Sequence, residues 1–217
     1  MSADLLALVD HTALKPETTA ADVDQLCAEA VEWDVAAVCV NGLWVARATN
    51  ATADSDVAVC SVVGFPLGAM SPQSVAAEAA QAVAVGAVEI DMVVALGPLI
   101  SGDDATVAAS IAAVRAATEG VVLKVILESG ALDDDQLRRA CMVSVGEGAD
   151  FVKTSTGFHP TGGATVHAVQ LMRESVGPDI GVKASGGIRS LAGAEAMVAA
   201  GASRLGMSST AALVPGE

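Results

Sequence analysis

Lysine placement carries most of the chemical information in this sequence. Only four of its eleven basic residues are lysines. Lys15 falls in a loop, but the other three stand inside apolar runs: Leu123-Lys124-Val125, Val152-Lys153-Thr154 and Val182-Lys183-Ala184. Lysine is rarely buried without a partner. If all three side chains point into one interior, they form a cationic cluster. An ammonium buried beside a second cation gives up its proton more readily, and the neutral amine attacks a carbonyl to form a Schiff base. Asp91, in Glu89-Ile90-Asp91-Met92-Val93, is placed to hold one ammonium or to move protons through a water. A plainer reading is that strand carboxylates such as Glu89, Asp91 or Glu128 neutralise one or two of the lysines, Lys124 first among them.

Two glycine-bearing segments follow the last strand-like runs: Ser185-Gly186-Gly187-Ile188-Arg189 and Gly206-Met207-Ser208-Ser209. In an eight-stranded barrel the loops after strands seven and eight commonly bind phosphate through backbone N–H groups. Arg189 adds a charge there. The histidines, His11, His159 and His167, form no metal-binding pattern, and no G-x-S-x-G elbow is present, so neither metal chemistry nor a serine nucleophile is expected. His11 reads as a structural polar residue at a strand end, and His159 as a solvated loop residue.

These residues need strands to position them. Eight β-branched runs are legible at Leu8–Ala13, Val35–Val40, Val57–Val63, Val88–Val94, Val121–Glu128, Phe151–Ser155, Gly181–Ser185 and Arg204–Ser208. Ala-rich stretches of helical period lie between them, near 20–33, 43–52, 72–85, 103–118, 133–147, 164–176 and 190–200. Thr19, Ser71-Pro72 and Asp133 are start signals, and Gly86, Gly120, Gly148 and Gly201 are stop signals. Regular alternation predicts a parallel sheet, and eight repeats predict closure into a single-domain (β/α)₈ TIM barrel over 1–217. An open doubly wound sheet is the alternative, though no G-x-G-x-x-G follows the first strand. Little chain follows the eighth strand, so its helix must be short or incomplete.

Twenty-six acidic against eleven basic residues leave a net charge of −15, which excludes nucleic-acid binding by a basic face. An acidic surface nearly without lysine also predicts a halophilic source. The apolar runs are about half the roughly 20 residues a membrane span needs. Asp4 and Asp10 stand where a signal peptide would carry positive charge, so a soluble cytoplasmic protein is expected. Cys27, Cys39, Cys60 and Cys141 read as buried reduced thiols.

The segments Phe151-Val152-Lys153-Thr154-Ser155-Thr156-Gly157-Phe158 and Val182-Lys183-Ala184-Ser185-Gly186-Gly187-Ile188-Arg189 resemble the deoxyribose-phosphate aldolase family. The likeness extends through Asp10-His11-Thr12, Val38-Cys39-Val40-Asn41, Gly64-Phe65-Pro66-Leu67-Gly68, Glu89-Ile90-Asp91-Met92-Val93 and Leu123-Lys124-Val125-Ile126. It implies a metal-free, cofactor-free class I aldolase on a (β/α)₈ barrel. Such an enzyme reversibly cleaves 2-deoxy-D-ribose 5-phosphate to acetaldehyde and D-glyceraldehyde 3-phosphate. By resemblance Lys153 is the Schiff-base lysine, Lys183 the lysine that perturbs it, and Asp91 the proton-relay carboxylate. Asp10, Thr12, Cys39 and Lys124 match the substrate site, and Gly157, Gly186, Gly187, Ser208 and Ser209 the phosphate region. The expected partners are a small phosphorylated sugar and further copies of the chain. Two departures stand out. The chain has no tyrosine, whereas some members use one near the C-terminus in proton transfer, and the tail Leu213–Glu217 is short. Gly42 stands where many members have proline. A phosphosugar-binding barrel without aldol activity, or a class I aldolase for another donor, remains a competing reading.

Overall fold

The computed structural model describes residues 5–214. Asp4 and the tail beyond Val214 lie outside the described residues. Eight parallel strands close in sequence order: β1 (Val9–Ala13), β2 (Ala37–Asn41), β3 (Ala58–Val63), β4 (Glu89–Val93), β5 (Val122–Ile126), β6 (Phe151–Lys153), β7 (Gly181–Ser185) and β8 (Arg204–Met207), with β8 pairing back on β1. The helices are α1 (Ala20–Glu32), α2 (Val45–Ala51), α3 (Pro72–Ala84), α4 (Leu96–Ser101), α5 (Asp104–Ala117), α6 (Asp134–Gly146), α7 (Val166–Val176) and α8 (Leu191–Ala199). The chain is a single-domain (β/α)₈ barrel.

The start signals act as expected. Thr19 and Asp133 each form a reciprocal capping box, with Asp22 and Gln136, and the Ser71 hydroxyl accepts from Ser74 N ahead of Pro72. Gly86, Gly120, Gly148 and Gly201 all take positive φ where a helix turns toward the next strand. At Gly201 a Cβ would also meet Arg173 Cγ at 2.7 Å, so space as well as conformation calls for glycine.

Two expectations need correction. Two helices, not the single one expected near 103–118, follow β4: α4 occupies Leu96–Ser101, ahead of α5. Pro98 sits in the first turn, where its missing N–H costs no hydrogen bond. As the little chain left after β8 led one to expect, only a 3₁₀ turn, Thr210–Leu213, follows it among the described residues. β5 stops at Ile126 and β6 at Lys153, short of the expected Glu128 and Ser155, and Glu128 instead takes a left-handed conformation at φ 47°.

Alternation along each strand separates two interiors. On β2, Val38 and Val40 join the large core between barrel and helices, while Ala37 and Cys39 pack inside the barrel with Leu14, Cys60 and Val62. On β4, Ile90 and Met92 join the outer core, which leaves Glu89 and Asp91 to face inward. The helix-facing layer is built almost wholly from Val, Leu, Ile, Ala and Met. The barrel lumen is apolar near β2 and β3 and charged elsewhere.

Candidate active site

Each charged side chain in the lumen is delivered by the inward position of a strand. Asp91 and Lys124 are register partners across β4 and β5, and Lys153 and Lys183 across β6 and β7. Asp91 sits at the centre. Its Oδ2 accepts from Lys153 Nζ at 2.7 Å and Lys183 Nζ at 2.6 Å, and its Oδ1 from Lys124 Nζ at 2.7 Å and Cys60 Sγ at 3.1 Å. Lys183 also bonds Asp10. Lys124 reaches Glu89 at 2.6 Å and Asp10 at 3.5 Å. Beneath them Arg204 of β8 bonds Asp10 Oδ1 at 2.7 Å and Glu89 Oε1 at 3.1 Å. Arg204 also lies 5.6 Å over the Phe151 ring, and Gly181 leaves the space that ring occupies. Four cations therefore face three carboxylates in this network.

All of these groups are at most slightly exposed, so burial works against every charge and only pairing sustains them. Burial alone would raise the Asp91 carboxyl, but Lys124, Lys153 and Lys183 outweigh it and hold it well below the ordinary carboxylate range. Asp10 is lowered in the same way, by Lys183, Lys124 and Arg204 against burial. Burial pushes both Lys183 and Lys124 down, yet Asp10 and Asp91 keep Lys183 above the ordinary lysine value, and Asp91, Asp10 and Glu89 hold Lys124 well above it. Lys183 and Lys124 are thus fixed charges. The Cys39 thiol is lowered by its hydrogen bond to Cys60, then raised by burial and lowered by Lys183, while burial first and then that same hydrogen bond raise Cys60.

A cavity of about 580 Å³ opens at the C-terminal ends of the strands. Its lining includes Thr12, Lys153, Gly157, Gly186, Gly187, Arg189 and Ser208. Lys153 is the one lysine of the buried cluster that reaches it. Asp10, Cys39, Asp91, Lys124 and Lys183 are fully buried and lie outside its lining, and Ser209 also lies outside it. The sequence-derived residues thus divide into a lining and a buried interior that meet at Lys153.

The structure adds members that sequence reasoning missed. Lys15, Thr18 and Thr156 line the cavity, and Arg204 and Cys60 belong to the buried network. Glu128 meets no lysine. Its carboxylate accepts from the Thr156 hydroxyl and from Thr156 N at 3.3 Å, tying the cavity-lining segment before Gly157 to the end of β5. Its place at the end of an apolar run was the available signal, and it pointed to the wrong partner. His11 turns outward to Glu29 at 2.9 Å and Thr210 at 2.8 Å, a structural role, and the exposed His159 bonds Thr161. Two groups, Cys39–Cys60–Asp91 and Asp10–Cys60–Glu89, bring possible metal ligands within 4.8 Å, but lysine ammonium groups already occupy their carboxylate oxygens.

Fold and site together define a (β/α)₈ barrel protein with a lysine amine reaching the cavity at its mouth. Residues 5–210 match the DeoC/LacD family of aldolases, and the chain belongs to that family. It is 57% identical over 218 residues to a deoxyribose-phosphate aldolase of Mycolicibacterium paratuberculosis, covering 99% of this chain and 97% of the relative. It is 54% identical over 208 residues to one from Brevibacillus brevis, covering 96% and 94%. Among solved structures, a putative deoxyribose-phosphate aldolase from Coccidioides immitis superposes with a TM-score of 0.94 at 40% identity, covering 97% of this chain and 84% of that one. A tetrameric deoxyribose phosphate aldolase from Aeropyrum pernix superposes at 0.91 with 35% identity, covering 98% and 90%.

Proposed function

We propose that this chain is a class I aldolase that reversibly cleaves 2-deoxy-D-ribose 5-phosphate to acetaldehyde and D-glyceraldehyde 3-phosphate. The observation that carries the reading is the division among the lysines: of three buried ammonium groups, only Lys153 lines the cavity. Release of one proton from the four cations leaves their network neutral, and Lys153 is the member open to substrate. The freed amine adds to the C1 aldehyde of the open-chain sugar, and loss of water gives an iminium ion. As the C3 hydroxyl loses its proton, the C2–C3 bond breaks and its electron pair passes into the iminium as an enamine. D-glyceraldehyde 3-phosphate departs. Protonation of the enamine at C2 and hydrolysis release acetaldehyde and restore the amine.

Lys183 holds a fixed positive charge beside this centre, and Asp91 is the relay carboxylate. Both Asp91 oxygens are engaged by ammonium groups, so it exchanges protons with substrate through Lys153 or a water rather than directly. Thr12 serves the sugar. Asp10, Cys39 and Lys124 support the site from beneath. The phosphate lies over Gly157, Gly186, Gly187 and Ser208, with Ser209 and Arg189 beside them.

The same reading places the chain, acting as one catalytic domain, in deoxyribonucleotide and carbohydrate breakdown in the cytoplasm. It is in keeping with this that no helix among the described residues is long and apolar enough to cross a membrane. The acidic excess supports a halophilic source. Exposed Leu43, at 80%, and Met142, at 61%, offer apolar surface for self-association.

Acetaldehyde with borohydride tests the mechanism. A two-carbon mark is expected on Lys153, read by peptide mass mapping. A mark on Lys183 or Lys124 reverses the roles, and no mark on folded, active protein removes the Schiff base.

A further inference from the structure

In a chain with 26 acidic side chains, nearly every cation is already engaged. Arg47, Arg115, Arg138 and Arg139 each pair with a surface carboxylate. Arg173 donates to the Ile180 and Gly201 carbonyls at 2.6 and 3.0 Å. Arg204 and three lysines form the buried network. Two cations remain without an ion pair or side-chain hydrogen bond among the described residues, Lys15 and Arg189, and both line the 580 Å³ cavity. Arg189 was already legible beside the Gly-Gly turn. Lys15 was not, because it belongs to the loop after β1, at the other end of the sequence.

The barrel order explains why they meet at one cavity. β8 lies between β7 and β1, so the loop carrying Arg189 and the loop carrying Lys15 flank the Gly206–Ser208 segment. The Lys15 loop is tied down. Asn41 Nδ2 donates to the Leu14 carbonyl at 3.1 Å, and Thr18 N donates to the Lys15 carbonyl at 3.1 Å. Its backbone is held at the rim while its ammonium stays free for a ligand.

We propose that Lys15 is a specificity-determining residue, the cation that engages the substrate's phosphate monoester dianion from the β1 side and discriminates phosphorylated from unphosphorylated substrates. Backbone N–H groups over Gly186 and Gly187 bind an oxyanion but carry no net charge. A protein of net charge −15 repels a dianion at a distance. Lys15 and Arg189 at the mouth counter that repulsion where the phosphate enters. This inference rests on the aldolase reading for its substrate, while its geometry stands apart from Lys153.

The test compares Lys15→Met and Lys15→Arg with the parent, measuring kcat/KM for 2-deoxyribose 5-phosphate and for 2-deoxyribose at low and molar KCl. Without the ammonium, the charge-assisted hydrogen bond to phosphate disappears. In Lys15→Met, kcat/KM for the phosphorylated substrate should therefore fall at least about tenfold more than for the unphosphorylated one, mainly through KM. Lys15→Arg should restore most of the difference, and molar salt should narrow it. Inorganic phosphate should inhibit Lys15→Met more weakly than the parent. Equal losses on both substrates, or an unchanged ratio, overturn the proposal. The acetaldehyde–borohydride mark on Lys153 is read in the same variants. If it is absent from the parent, the aldolase reading fails; if it is present while the substrate ratio stays flat, only the role of Lys15 fails.

Discussion

Lys153 and Lys183 share a single acceptor: their ammonium nitrogens lie 2.7 and 2.6 Å from Asp91 Oδ2. The two lysines are register partners on adjacent strands, so the sharing follows from the barrel ladder rather than from a mobile side chain. Asp10 and Asp91 hold Lys183 in its charged form against the cost of burial. In Lys183→Leu that charge is gone, and Asp91 has one cation fewer to balance. Turnover at pH 7 should fall by about 100-fold or more, with part recovered at higher pH. Lys153→Leu should be inactive at every pH. A near-normal rate and unchanged pH profile in Lys183→Leu would make Lys183 a structural lysine.

Acid stability should carry the mark of the buried carboxylates. Asp10 and Asp91 both have folded-state values depressed below the unfolded carboxylate value of about 3.9. Their contribution is therefore fully present above about pH 4 and is lost as pH falls toward the folded-state values. Asp10→Asn leaves Lys183 and Arg204 short of a partner and should cost about 3–5 kcal/mol at pH 7 by urea unfolding. The gap from the parent should shrink between about pH 4 and pH 2. A gap that stays constant across that range would mean that the Asp10 charge contributes nothing beyond its shape.

Salt should stabilise the fold. The acidic excess repels itself when screening is weak, and the Debye length falls from about 30 Å at 0.01 M to about 3 Å at 1 M. Thermal melting should rise steadily between low and molar KCl. A flat melting temperature would reject halophilic adaptation.

The barrel and the three lysines were legible because each strand announces itself locally. A lysine between apolar neighbours, as in Val152-Lys153-Thr154, has few places to go except a lumen. Asp91 was legible for the same reason. Arg204 was not, since an arginine opening a short strand looks like an ordinary polar start, and only closure of β8 on β1 carries it to Asp10. Lys15 and Cys60 were likewise hidden by distance along the chain. Glu128 was misread because a carboxylate after an apolar run suggests a further strand residue, whereas its left-handed backbone turns it to Thr156. Where interactions are local the sequence displays them; where they are made by the ring, it does not.

That ring is also an electrostatic assembly of two unlike parts. The lumen charges contributed by β1 to β4 are Asp10, Glu89 and Asp91, all negative, and those from β5 to β8 are Lys124, Lys153, Lys183 and Arg204, all positive. Divided between β4 and β5, the chain becomes an anionic half and a cationic half, each with lumen charges of one sign and no partner of its own. Neither half can dehydrate its inner face alone, because an unpaired charge carried into an apolar interior costs several kcal/mol. The halves complete each other only by docking, so Lys153 meets Asp91 only once the two have joined.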